Sequence, residues 1–401
     1  MDVFNTTYYK VQKRFLSICG GWPYELNRIS TTSRIMFITI SLVFLIIPEV
    51  LSLFKNLQDF DFVMTMLPIL CGSVMGLCKG LIIFGYNDEV KKLMDGLQKD
   101  WQDLCYEESE LLILKKYAKT GKQVTVTIAV FTYTAVLATY LLSCIAPVMD
   151  LVIPLNESRT YALIFPGDFY VHTDKYFFLV LTMELYGLVC VCHLIVTVDS
   201  WYVVLTFHCC GLFMVLSQRL EKLSDWTFKA KGHHMMQENM AINEDRIIHL
   251  ALKKCIQLHL RSVKYGEQIN SMFNVSLFVD VTAGIFIASA SAVKFVLSTD
   301  DPSQRIKYGA IYLTQTGRIF FNTLPGQLIY DHSSQVYIAA SQSKWYNLPD
   351  KYKKMLIMIM MRSLRPCEFI VAEMITLNIE LFSMVTRTCL SYSTIMLSTQ
   401  K

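Results

Sequence analysis

The chain is 401 residues long, 53% hydrophobic and only 17% charged, where soluble domains run roughly 45–50% apolar and about 25% charged. Its 37 Lys and Arg against 33 Asp and Glu give a formal net charge of +4, too mild a balance for a nucleic-acid partner, and leave a lipid bilayer to take the excess apolar surface. Twelve cysteines over this length exclude a disulfide scaffold.

In chain order, the first 34 residues mix polar and aromatic side chains with Lys10, Lys13, Arg14, Arg28 and Arg34. They lack the short apolar core and small-residue cleavage site of a secretory leader, so the first long apolar run is expected to remain in the membrane. Seven windows of about 20 residues or more with few charges follow. They are Ile35–Phe54, Phe62–Tyr86, Val124–Met149, Phe177–Phe213, Val275–Leu297, Ile306–Tyr330 and Phe369–Leu397. Between them, 27 basic residues fall in the N-terminal segment and the second, fourth and sixth loops, against 5 in the other loops and the tail. That asymmetry predicts a cytoplasmic N-terminus, and seven spans then put the C-terminus outside. Asn156-Glu157-Ser158 is a glycosylation triplet on the predicted outer side.

The predicted fold class is therefore an all-α membrane protein of seven transmembrane helices. Segment 1–34 is cytoplasmic and 35–213 holds helices one to four. Segment 214–272 carries cytoplasmic helical extensions that form an anchor bundle, and 273–330 holds helices five and six. A cytoplasmic linker with a short helix occupies 331–366, and 367–401 forms the last helix and its tail. Asn87–Lys122, with eight acids and seven lysines, reads as a solvated helix pair. Between Glu244 and Gln268 the apolar residues Ile247, Ile248, Ala251, Leu252, Cys255, Leu258 and Val263 recur at helical spacing, and Lys351–Arg362 reads as a short helix ended before Pro366.

His233-His234 has no further ligands at metal spacing, so it reads as a loop pair, and no metal or cofactor is expected. Cys190, Cys192, Cys209 and Cys210 read as small buried hydrophobes. No serine-hydrolase elbow, phosphate-cradling loop or metalloprotease motif is present. Glu184, Asp199, His193 and His208 are spread along one long span, too far apart to act together, so the chain is expected not to be an enzyme. Lys294, Lys307 and Glu49 read as charges near span ends that snorkel to the interface. Glu373, Thr376 and Glu380 would make a polar stripe on the last helix, better suited to water than to lipid. Ser391, Thr394, Ile395 and Ser398 share one face of that helix. Such a face suits a pore with a hydrophobic constriction, and equally ordinary packing by small residues. The outer halves of the spans are rich in Met, Leu and aromatics, and Met64, Leu67, Cys71, Ala138, Leu141, Leu142, Ile145, Phe178, Leu181, Tyr308 and Tyr312 are the candidate ligand-binding residues. A small volatile ligand wants such a cavity, although any one of these residues would serve in a plain bundle core.

Several segments together resemble the insect odorant receptor family. They are Phe165-Pro166-Gly167-Asp168-Phe169-Tyr170, Lys175-Tyr176-Phe177, Asp199, His208 and Gln218-Arg219-Leu220. After the sixth span come Gly326-Gln327-Leu328, Ser333-Ser334, Val336-Tyr337, Trp345-Tyr346-Asn347-Leu348-Pro349 and Arg362-Ser363-Leu364-Arg365-Pro366, and the chain closes with Leu390-Ser391-Tyr392-Ser393-Thr394. The resemblance spans essentially the whole chain, is densest after Phe320, and looks like the expanded receptor sets of social insects. It implies a ligand-gated, non-selective cation channel in which four subunits surround one pore built by the last helix. An odour-specific subunit assembles with a shared coreceptor subunit, and cytoplasmic helices form the main contact between subunits. It implies a gate at Ile395 with Ser398 one turn outward, a pocket for a small apolar odorant in the outer halves of the second to sixth spans, and a plasma-membrane location on the olfactory neuron dendrite. Ser398 departs from the longer amide of the coreceptor, and the fourth-to-fifth loop is shorter than the coreceptor's, so the chain resembles the odour-specific partner. A gustatory receptor of the same superfamily shares this topology, but the closing Ser391-Tyr392-Ser393-Thr394 favours the olfactory branch. A G-protein-coupled receptor would need an outside N-terminus and acid-Arg-aromatic and Asn-Pro-x-x-Tyr motifs, and the sequence has neither motif.

Overall fold

A computed structural model of the chain describes residues 3–153, 161, 163–165, 175–232, 238–298 and 302–399. The Asn156 triplet and His233-His234 lie outside the described residues. Among them the fold is almost wholly helical: α1 (Lys10–Ile18), α2 (Arg28–Lys55), α3 (Phe60–Gly85), α4 (Asn87–Asp103), α5 (Glu108–Val152), α6 (Phe177–Gly232), α7 (Glu238–Leu297), α8 (Pro302–Gln342), α9 (Asp350–Ser363) and α10 (Ile379–Thr399). Strands β1 (Ile370–Val371) and β2 (Ile375–Thr376) make a small antiparallel hairpin before α10.

Local chemistry sets several helix starts. The Asn27 side chain accepts from Ser30 N (3.3 Å) ahead of α2, Asp59 accepts from Asp61 N and Phe62 N (3.0 and 3.2 Å) ahead of α3, and Asn378 accepts from Leu381 N (2.7 Å) at α10. Helices α2, α3, α5, α6 and α7 are long and apolar enough to cross a membrane. They contain the first five windows. The sixth window falls within α8, which is more polar because it carries Gln315, Arg318, Asn322 and Thr323 on buried positions or beside them.

Helix α6 is the axis of the bundle. Every residue from Leu194 to Phe213 is buried, as expected of a helix apolar on all sides and surrounded by others. Its hydroxyls turn back on their own backbone, Thr197 to His193 O (2.7 Å) and Thr206 to Tyr202 O (2.8 Å). Helices α5, α6, α7 and α8 run past the apolar windows at one end, where α1, α4 and α9 pack. This extended end is laced by ion pairs and buried hydrogen bonds. Asp100 of α4 meets His208 of α6 (2.9 Å) and Arg261 of α7, and Arg219 of α6 grips Glu110 of α5 through two bonds (2.5 and 2.7 Å). The N-terminal segment also docks here, which the mixed composition of 1–34 did not announce. Phe4, Tyr9 and Leu16 are buried, and Phe4 meets Trp22 edge-on at 5.4 Å. Gly20 turns the chain out of α1 at φ 76°, where an added Cβ would come within 2.9 Å of Thr31 O.

The seventh window does not form one helix. Its first part, Phe369–Thr376, is the hairpin, and Ala372 and Glu373 at its turn have φ of 51° and 59°. Glu373 therefore sits in a turn, and the expected stripe of Glu373, Thr376 and Glu380 on one helix face does not exist. Hydrogen bonds explain the change. Asn274 of α7 donates to Ile370 O (2.9 Å) and accepts from Ala372 N (3.1 Å), which pairs backbone that a helix would have used itself. Gly326 of α8 lets the hairpin's exit pass. A Cβ there would sit 2.1 Å from Leu377 O.

Two outcomes follow. Gly326→Ala forces the α8–hairpin contact apart and costs about 1–3 kcal/mol, the usual penalty of overpacking, read as a lower melting temperature of the detergent-solubilised protein. His259 on α7 is buried near Ser363 (3.5 Å), and burial, reinforced by the charge of Arg362, holds its imidazole down at about 4. The unfolded chain takes up this proton near pH 6.5 and the folded chain only near 4, so stability is lost as pH falls through that window. His259→Gln flattens the decline in melting temperature between those pH values.

Candidate functional site

The end of the bundle opposite the extended one holds the candidate ligand residues. Met64, Leu181 and Tyr308 are buried, and Leu67, Cys71, Leu142 and Tyr312 are half-buried. Ala138, Leu141, Ile145 and Phe178 lie on the exposed surface of the single chain, and the inward side of α5 is carried instead by Val136, Ser143 and Pro147. The Tyr308 hydroxyl donates to Thr65 Oγ1 (3.3 Å), Lys294 Nζ lies 5.6 Å from the Tyr308 ring centroid, and Lys294 pairs with Asp61 (2.5 Å). This set ties α3, α7 and α8 together at that end. Lys294, Lys307 and Glu49 do not simply reach for an interface. Lys307 donates to Ile164 O (3.0 Å), and Glu49, 2% exposed, accepts from Ser73 (3.0 Å). Paired groups inside the protein avoid the cost of a bare charge in lipid.

Nearer the extended end, one charge from each of four helices converges. Lys79 of α3 donates to Asp199 of α6 (2.5 Å), to Asp280 of α7 (2.7 Å) and to Ser276 (3.0 Å). Arg318 of α8 reaches the second oxygen of each acid, Asp199 Oδ2 at 3.3 Å and Asp280 Oδ1 at 3.1 Å. Asn322 adds a bond to Asp280 Oδ2 (3.2 Å). The two cations and two carboxylates cancel, and every carboxylate oxygen has a partner. Sequence reading singled out Asp199 alone among these four charges and gave it no charged partner. Their signal was that a buried charge demands an opposite one nearby. The other polar groups of α6 engage elsewhere. His193 meets Tyr133 (2.6 Å) and Phe15 O (3.2 Å), and His208 meets Asp100.

Helix α10 has two distinct sides. Leu381, Val385, Cys389 and Ser393, four residues apart in turn, are buried, and Ser393 donates to Ser289 O of α7 (3.3 Å). Phe382 packs on Phe320 of α8 at 5.4 Å. Ser391, Thr394, Ile395 and Ser398 all lie on the exposed surface, away from the chain's own bundle. Ile395 is 54% exposed among these small polar residues, and Met384, two turns before Ser391 on the same side, is exposed as well.

The charge cluster generates a stability outcome. Lys79→Met leaves two buried carboxylates facing one guanidinium and destabilises the fold by about 3–5 kcal/mol. Adding Asp199→Asn removes the excess negative charge and recovers part of that loss. Thermal unfolding in detergent of the single and double variants measures the coupling.

Comparison with known proteins gives the frame for these features. Residues 59–390 match the family described as 7tm Odorant receptor. Odorant receptor 10 of Aedes albopictus is 24% identical over 201 residues, 48% of this chain and about half (53%) of the relative's own length. Odorant receptor Or2 of Anopheles gambiae is 20% identical over 288 residues, 71% of this chain and 70% of that one. The fold is that of the insect olfactory receptor OR5 from Machilis hrabei, solved in complex with eugenol. That structure has a TM-score of 0.76, 13% identity and 97% coverage of both chains. With this fold, and with the family match running from the start of α3 into α10, the chain belongs to the seven-transmembrane odorant receptor family, a family of multi-pass membrane receptors rather than of enzymes.

Proposed function

We propose that the protein is the odour-binding subunit of a heteromeric, ligand-gated, non-selective cation channel in the plasma membrane of olfactory neuron dendrites. The observation that carries this reading is the exposed outer part of one α10 face, where Ser391, Thr394 and Ser398 surround Ile395. A stretch left uncovered by its own bundle, with small polar residues around a branched apolar one, suits a water-filled axis with a hydrophobic constriction. Four subunits around that axis each contribute such a face, and a shared coreceptor supplies the companion subunits. The 27-to-5 basic asymmetry supports a cytoplasmic extended end and seven spans. The extended end, with α4, α9 and the long helix extensions, then anchors the subunits to one another.

The ligand is a small apolar odorant, a reading supported by the Machilis receptor having been solved in complex with eugenol. Met64, Leu67, Cys71, Leu142, Leu181, Tyr308 and Tyr312 line its chamber from α3, α5, α6 and α8. Ala138, Leu141, Ile145 and Phe178 complete the outward side of α5 and α6. Affinity comes from apolar burial, so Met64→Ala or Tyr312→Ala costs at most about 1.5–3 kcal/mol, roughly ten- to a hundred-fold in the odorant concentration needed.

The deciding experiment is odorant-evoked current in cells expressing the chain with and without a coreceptor. Current across a panel of volatile ligands that requires both chains is expected, and its absence would sink the reading. Within such cells Ile395→Asn eases wetting of the constriction and raises basal current without odorant. Because the other subunits keep their own apolar residues, the leak is partial. Basal current and ion selectivity unchanged in both Ile395→Asn and Ser398→Asp, at matched surface levels, would remove α10 of this subunit from the pore.

A further inference from the structure

A short piece of the connection between α5 and α6 is buried inside the bundle. Ile164 is 0% exposed and Phe165 8% exposed. Their backbone is held by two side chains from different helices. The Glu184 carboxylate of α6 accepts Ile164 N–H at Oε2 (2.9 Å) and Phe165 N–H at Oε1 (3.3 Å). Lys307 of α8 donates to Ile164 O (3.0 Å). Glu184 itself is 1% exposed. Glu184 stands seven residues inside the start of α6 and Lys307 five inside the start of α8, depths of about 10 and 8 Å at 1.5 Å per residue.

Irregular backbone buried this far inside the protein is shielded from water, and each bare N–H or C=O costs several kcal/mol unless protein groups pair with it. Here a carboxylate takes two adjacent N–H groups and an ammonium takes the carbonyl between them. The chain enters the bundle because this pair is there to receive it. Leu181 lies one turn from Glu184 on the same face of α6, so the entry point borders the α6 wall of the chamber.

We infer that Ile164 and Phe165 form the roof of the odorant chamber, and that Glu184 and Lys307 are positioning residues that hold the roof in place. This rests on the chamber proposed above and adds to it a wall contributed by a connection rather than a helix. The ring of Phe165 then limits the size of the odorant that the chamber accepts.

The test has two readouts. Phe165→Cys, exposed to a membrane-impermeant maleimide on intact cells, is expected to label slowly against Tyr161→Cys as the exposed reference. Adding Glu184→Leu speeds labelling by about tenfold or more, the factor set by losing a hydrogen bond to a charged group. Glu184→Gln keeps the volume and one acceptor oxygen and gives an intermediate rate, which covers the case where the leucine variant fails to reach the surface. Phe165→Cys labelling as fast as the reference overturns the buried roof, and no acceleration in either Glu184 variant overturns the clasp. The second readout is odorant-evoked current over an uncharged homologous series, such as alcohols of increasing length. Phe165→Ala moves the best ligand to longer members and Phe165→Trp to shorter ones. An unchanged order of potency, with normal currents, overturns the roof and leaves the channel reading standing. Absence of odorant current in the unaltered chain removes the channel reading, and the labelling rates then decide the clasp alone.

Discussion

The requirement that buried charge be cancelled within the protein organises this fold. In a bilayer no water is available to share the load, so a lysine on α3 needs acids on its neighbours. Lys79 and Arg318 meet Asp199 and Asp280 in a closed arrangement, each cation touching both acids. This fixes the rotation of α3, α6, α7 and α8 about their own axes, because turning any one of them carries its charge away from both partners. Apolar packing cannot do this alone between helices in lipid, since a leucine is about as well placed against a lipid tail as against another helix. The cluster thus supplies orientation where burial supplies little preference.

The same logic repeats at the two ends with different consequences. At the extended end, Asp100, His208 and Arg261 join α4, α6 and α7, while Glu110 and Arg219 join α5 and α6. The result is a stiff block to which α9 and the N-terminal segment are added. At the opposite end, Asp61 and Lys294 join α3 and α7, and Glu184 and Lys307 receive a stretch of irregular backbone. Between the two ends, α10 leans on α7 and α8 through one side only. A helix bound along one face and entered through a docked hairpin keeps its far side uncovered by the rest of the chain.

Several features were legible in the sequence because they depend on local composition and period. The apolar windows became α2, α3, α5, α6, α7 and α8, and Lys351–Arg362 became α9, since a stretch of apolar residues long enough to span lipid has little alternative to a helix. That Ser391, Thr394, Ile395 and Ser398 share one side of α10 was legible too, because residues three, four and seven apart share a helix face wherever the helix lies, but whether that side is packed or uncovered was not. The seventh window was misread over Phe369–Thr376. That stretch is as apolar as a helix would be, but Asn274, almost a hundred residues earlier, offers its backbone better partners.

What the sequence by itself determined is therefore an all-α membrane chain, its helix windows and the polar side of its last helix. These follow from transfer energies and helical periodicity, both properties of short stretches. Only the tertiary structure decided which charges share a site, which side of α5 points inward and which segment of the α5–α6 connection lies inside. Lys79 and Asp280 are 201 residues apart in the chain and 2.7 Å apart in space. No period or composition encodes such a pairing, because it depends on how four helices are rotated against one another, and that rotation is itself set by the pairing.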